Sequence, residues 1–165
     1  MAQLFLDLGD TKGAVISPCM RYRYVLWRMW GKARKLTLIG LNPSVADAKK
    51  DDPTMKKIVK LAQKLGYGGV HMLNLFAWRD KSPEAMKKAK DPIGPENDKY
   101  LLEFTQAETD VVVCWGAHGT YLDRGREVLE LIGRDDLKCF GLCQNGQPKH
   151  PLFLSSDTKL EDFVL

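Results

Sequence analysis

The chain has 165 residues, of which 44% are apolar and 28% charged, and it carries a net charge of +4. That length suits one domain around a single core, and the apolar runs are too short to span a bilayer. The first residues, MAQLFLDLGD, have neither the basic nor the long apolar segment of a secretory leader, so a cytoplasmic protein without a membrane partner is expected. The mild positive charge permits nucleic-acid binding without arguing for it.

Residues 1–34 differ in pattern from the rest. AVISPCMRYRYVLWRMWG sets a Pro-Cys break between two apolar stretches, and Tyr22, Tyr24 and Leu26 alternate with Arg21, Arg23 and Val25. This predicts an antiparallel hairpin on a sheet edge, with a helix over 21–30 as the competing reading. KLTLIG (35–40) is a continuous apolar run and reads as a buried strand. Residues 52–66 open with Asp52 as N-cap and Pro53 at the first helical position. They continue with Met55, Ile58, Val59, Ala62 and Leu65 at helical spacing and close on Gly66. GVHMLNLFAW (69–78) is the next strand, followed by a short capped helix over 82–91 and a helix over 95–109. DVVVCWG (110–116) is a third strand, residues 120–135 form a helix weakened by Gly125, and LKCFGLC (137–143) is a fourth strand. SSDTKLEDFV reads as a short terminal helix.

Strands alternating with helices predict an α/β domain with right-handed crossovers. The continuous apolar character of the strands fits a sheet covered on both faces. The expected architecture is a three-layer α/β/α domain with a four-stranded parallel sheet. It would be a single domain over 1–165, made of an N-terminal hairpin extension (1–34) on an α/β core (35–165).

Open parallel sheets bind ligands beyond the carboxyl ends of their strands. Those positions hold Asn42, Pro43 and Ser44 after the first strand, and Asn74, Phe76, Trp78 and Arg79 at the end of the second. Trp115 and His118 follow the third, and Lys149 and His150 follow the fourth. Amides, imidazoles, indoles and a guanidinium converging there would form a polar pocket for a planar ligand, because an amide donates and accepts at once. Each residue also has a plainer reading. Asn42-Pro43 suits a turn, the tryptophans suit a core, and His118 suits a solvated loop. Asn74 inside an apolar strand needs buried partners of some kind.

Asp47, Asp51 and Asp52 offer oxygens to a cation, but the intervening lysines favour a solvated turn with Asp52 as helix cap. Cys139 and Cys143 are weakly compatible with zinc if His150 joins them. Cys114 and Cys139 in apolar runs read better as small hydrophobes. No metal and no cofactor is therefore expected.

The strings SPCMRYRYVLWRMWG, LNPSVADAKKDDPT, GYGGVHMLNLFAWR, DPIGPENDKYLL, CWGAHG and GQPKHPLFL resemble those of an uncharacterised bacterial and phage family, DUF1643, which brings no established activity. The order of shorter motifs also resembles the uracil-DNA glycosylase superfamily, in particular its mismatch-specific branch. GLNP fits a strand ending in G-x-[ND]-P, VVVCWG fits a strand ending in W-G, and His150-Pro151 fits an H-P motif after the fourth strand. Asn74 falls where that superfamily has a base-reading Asn.

The resemblance implies a uracil-DNA-glycosylase-like fold and excision of a nucleobase. Asn74 would read the base edge, Asn42 would position water, and His150 would donate to the base oxygen that gains charge. Phe76 or Trp78 would stack on the base. The sequence departs from that pattern in three places. Asn42 cannot serve as a general base, Leu152-Phe153-Leu154 replace a serine-rich turn, and aspartates follow Asn42 where a phosphate grip is usual. The implied partner is a nucleic acid or a nucleotide. A binding module using the same pocket without turnover is the alternative, and a structural role in a phage or mobile-element complex is a third. Oligomeric state is not legible.

Overall fold

The computed structural model describes residues 11–106 and 109–164. The expected hairpin forms: β1 (Lys12–Ile16) pairs antiparallel with β2 (Arg23–Met29), and the alternative helix over 21–30 does not occur. The core strands are β3 (Lys35–Gly40), β4 (Gly69–Asn74), β5 (Asp110–Val113) and β6 (Lys138–Cys139), with β7 (Glu161–Asp162) near the end of the chain. The sheet is seven-stranded, in the order β1-β2-β4-β3-β5-β6-β7. β3 pairs parallel with both β4 and β5, and β5 with β6, whereas β2 runs antiparallel to β4 and β7 antiparallel to β6.

The sheet is therefore mixed, with the expected hairpin on one edge of the parallel strands and β7, which was not expected, on the other. The fourth strand shrinks to two residues because Gly141 adopts φ +111, which ends extended backbone at once. The tail is a strand rather than a helix. Phe163 is buried with its ring 6.3 Å from Trp115, and its N–H donates to the Leu137 carbonyl. That docking holds residues 161–162 extended beside β6.

The helices are α1 (Pro53–Lys64), α2 (Pro83–Lys87), α3 (Asn97–Thr105) and α4 (Arg124–Ile132), the last preceded by a 3-10 segment over Ala117–Asp123. Asp52 caps α1 by accepting the Met55 N–H at 2.8 Å, with Pro53 in the first turn. Successive β3 side chains point to opposite faces. Leu36 and Leu38 join Met55, Ile58 and Leu61 of α1, while Ile39 joins Tyr100 and Phe104 of α3 and Val128 of α4. Apolar side chains on both faces are thereby removed from water, the main favourable contribution to folding. No helix among the described residues is long and apolar enough to cross a membrane.

The charge that crowds the loop after β3 is fixed rather than merely solvated. Arg28, buried within β2, pairs with Asp51 at 2.8 Å and donates to the Asp47 carbonyl at 2.7 Å. Asp47 in turn accepts the Lys49 and Lys50 N–H groups. The basic hairpin thus holds the acidic loop against the sheet, and α1 starts from a fixed point.

Candidate functional site

Loops at the carboxyl ends of β3, β4 and β5, the start of β2, the first turn of α1 and the turn at His150 enclose a cavity of about 520 Å³. Asn42, Ser44, Asn74, Trp115, His118 and His150 all line it, as expected from the sequence. Arg23, Asp52, Lys81 and Phe153 line it as well.

Asn74 ends β4 and is 1% exposed. Its Nδ2 has no hydrogen-bond partner, although a buried donor left unpaired costs about 1–3 kcal/mol. Its main chain is held from behind. Asn97 Nδ2 donates to the Asn74 and Leu75 carbonyls at 3.0 Å each, and Arg124 Nε donates to the Leu75 carbonyl at 2.9 Å. Gly40, the glycine of GLNP, makes room for this amide, since a Cβ there would lie 2.9 Å from Asn74 Oδ1 and 2.6 Å from Met72 Cε.

Asn42 Nδ2 donates to the carbonyls of Asp80 (3.0 Å) and Pro43 (3.3 Å). With both N–H groups engaged, the function that Asn42 offers to the cavity is an acceptor, Oδ1. His150 Nδ1 accepts the Leu152 N–H at 3.2 Å, which leaves the proton of the neutral ring on Nε2. Burial lowers the His150 pKa, opposed by the charge of Asp52, so at neutral pH the ring is an uncharged N–H donor. The turn that carries His150 is tied to the loop after β5. The Gly116 N–H donates to the Pro148 carbonyl at 2.7 Å, and Trp115 Nε1 donates to Gln147 Oε1 at 2.8 Å. His118 Nδ1 lies 3.1 Å from Lys87 Nζ, whose ammonium also sits 5.1 Å from the centre of the Tyr121 ring.

Arg23, which the sequence marked only as an alternating residue of the hairpin, is 3% exposed and lines the cavity. Because β2 runs antiparallel to β4, its first residue falls at the carboxyl end of the parallel strands. Nη1 donates to the Ala46 carbonyl at 3.0 Å, and Nε has no partner. Burial lowers its pKa to about 10, with Asp52 acting in the opposite direction, so the guanidinium remains charged at neutral pH. Asp52, read chiefly as a cap, is also buried and lines the same cavity. The sequence signal for Arg23 was an arginine heading a strand whose next residues, YVLW, are all apolar.

Other expected site residues lie elsewhere. Phe76 is wholly buried, with its ring 5.6 Å from Tyr121, and Trp78 packs edge-on against Tyr22 at 5.6 Å. Neither lines the cavity, and the aromatic rings that do are Trp115 and Phe153, the latter 90% exposed. Pro43 is buried and contributes its carbonyl to the Asp80 N–H. Lys149 is exposed and does not line the cavity. Arg79 lines an adjoining groove of about 390 Å³ that shares Ser44, Asp80 and Lys81 with the main cavity. Cys114 and Cys139 are buried free thiols, and no group of three or more His, Cys, Asp and Glu among the described residues is arranged to hold a metal ion.

The class defined by fold and site is a mixed α/β domain with a donor-rich cavity at the carboxyl ends of its parallel strands. Residues 23–152 match the family described as Protein of unknown function (DUF1643), and the chain belongs to that family. No curated protein and no solved structure matches it.

Proposed function

We propose that the cavity binds a nucleobase on DNA or a nucleotide and hydrolyses its N-glycosidic bond. The observation that carries this reading is Asn74: a buried amide with an unpaired Nδ2, in the same cavity as an acceptor (Asn42 Oδ1) and a neutral donor (His150). A base edge supplies the acceptor that Nδ2 lacks. Support also comes from the order of GLNP, VVVCWG and His150-Pro151 along the chain, and the reading includes a three-layer, uracil-DNA-glycosylase-like arrangement around the parallel strands.

In the proposed reaction the C1′–N bond breaks and its electron pair leaves with the base. A water molecule held by Asn42 Oδ1 adds its oxygen to C1′. The proton that the water loses reaches the departing base through solvent. His150 Nε2–H donates to the base oxygen on which negative charge grows, a contribution of about 10²–10³ in rate for a preorganised donor. Asn42 cannot take up a proton, so the water is positioned rather than deprotonated. This favours a slow hydrolase and keeps a second reading in view, in which the cavity binds the same ligand without cleaving it.

The test is base release. The protein is incubated with single- and double-stranded oligonucleotides carrying uracil, other deaminated bases or hypermodified pyrimidines, and with free nucleotides, and freed base is measured by mass spectrometry. Release that falls about a hundredfold or more in Asn42→Ala and His150→Ala supports the hydrolase. No release from any substrate turns the assignment to the binding module, and release unaffected in both variants removes these residues from the chemistry.

A further inference from the structure

Arg23 is a buried cation without an anion. Arg28 pairs with Asp51, and Arg124 with Asp98 and Glu127, but no carboxylate approaches Arg23 within ion-pair distance among the described residues. Its contact is one backbone carbonyl, its Nε is unpaired, and it faces the cavity. Asp52 is the acid that acts most strongly on it and Asp47 acts more weakly, while Arg79 and Arg28 repel it. On the cavity side the adjoining groove adds Arg79 and Lys81 against the single acid Asp80, whose Oδ1 accepts the Lys81 N–H at 2.7 Å. An uncompensated buried charge is costly unless something pairs with it, and this one lines the cavity.

We propose that Arg23 binds a phosphate oxygen of the ligand, so that the cavity selects nucleotides over nucleosides, with the groove at Arg79 and Lys81 receiving the chain or phosphates beyond. That the anion is a phosphate rests on the nucleobase reading above; that Arg23 awaits an oxyanion rests on its own geometry. Arginine suits the task because its planar fork gives short, charge-assisted hydrogen bonds to phosphate.

Calorimetric titration tests it, using the common deoxynucleosides and deoxyuridine, their 5′-monophosphates, the corresponding dinucleotides, and ribose 5-phosphate. In the parent protein at least one 5′-monophosphate is expected to bind about ten- to a hundredfold tighter than its nucleoside, as a charged hydrogen bond contributes. That preference should collapse in Arg23→Gln and survive in part in Arg23→Lys. Equal affinity for nucleoside and monophosphate in the parent overturns the proposal, and that comparison needs no variant to fold. A preference undiminished in Arg23→Gln overturns it too, as does the absence of binding by every probe. Ribose 5-phosphate binding as tightly as any nucleotide, and losing its affinity in Arg23→Gln, upholds the oxyanion site and removes the nucleobase. Dinucleotides binding tighter than monophosphates identify a strand phosphodiester as the source of the oxyanion, and the reverse identifies a free nucleotide.

Discussion

Arg124 and Arg23 are both buried arginines, and they are treated in opposite ways. Arg124 is 0% exposed and each nitrogen has a partner: Nε meets the Leu75 carbonyl, Nη1 meets Glu127 at 2.7 Å and Nη2 meets Asp98 at 2.5 Å. It joins α3, α4 and the segment after β4 into the back wall of the site. Arg23 has one carbonyl and an orphan Nε. Asn97 and Asn74 repeat the contrast at their amide nitrogens, since Asn97 Nδ2 is saturated by two carbonyls, although its Oδ1 has no partner, while Asn74 Nδ2 has none. The paired nitrogens of Arg124 and Asn97 hold the frame, whereas the unpaired nitrogens of Arg23 and Asn74 belong to residues that line the cavity.

The sharpest way to break this comparison is to remove each arginine in turn. Arg124→Met should cost about 3–5 kcal/mol in urea unfolding, because it strips a buried hub from two acids and a carbonyl. Arg23→Met should change stability by only about 1 kcal/mol, the lost Ala46 contact being offset by removal of an unpaired buried charge. Equal losses would make Arg23 another structural hub.

His71 extends the comparison to a buried group on β4 away from the cavity lining. Burial lowers its pKa from 6.5 to about 4, with Lys35 adding to the effect. The unfolded imidazole takes a proton below 6.5 and the folded one only near 4. Stability present above pH 6.5 should therefore be lost as pH falls through that window, by about 3 kcal/mol at its lower end. Urea midpoints at pH 7.5 and 4.5 measure this, and the pH dependence should shrink in His71→Gln, leaving the part due to His150, whose pKa burial also lowers.

The smallest effect separates the two tasks of Asp52. Asp52→Ala should lose about 1 kcal/mol through the cap of α1. Asp52→Asn keeps an acceptor for the Met55 N–H and should lose less than half of that. A larger loss in Asp52→Asn would mean that Arg23 depends on this carboxylate even across the distance between them.

Much of the frame was legible because it rests on local rules. The hairpin followed from alternation between Arg21 and Leu26, and α1 followed from Asp52-Pro53 and the spacing of Met55, Ile58 and Ala62. That Asn42, Asn74, Trp115, His118 and His150 share one cavity followed from the rule that parallel strands gather their carboxyl ends. The placements that differ from expectation arose where a single distant contact decides. Phe76 and Trp78 sit at the right strand end, but their rings meet Tyr121 and Tyr22. Residues 160–163 carry no strand signal strong enough to outweigh a helix until Phe163 docks beside Trp115.

Apart from the tail, the sequence by itself determined which segments are strands and helices, and therefore the end of the sheet at which polar groups collect, since apolar periodicity and capping are properties of neighbours in the chain. Only the tertiary structure decided which charges are satisfied. Arg21, Arg23 and Arg28 look alike in RYRYVLWR, yet Arg28 meets Asp51, Arg21 lies exposed with its guanidinium 5.9 Å from the Trp78 ring centre, and Arg23 faces a cavity. The partner of a charge is set by contacts between residues far apart in sequence, and no local pattern encodes them.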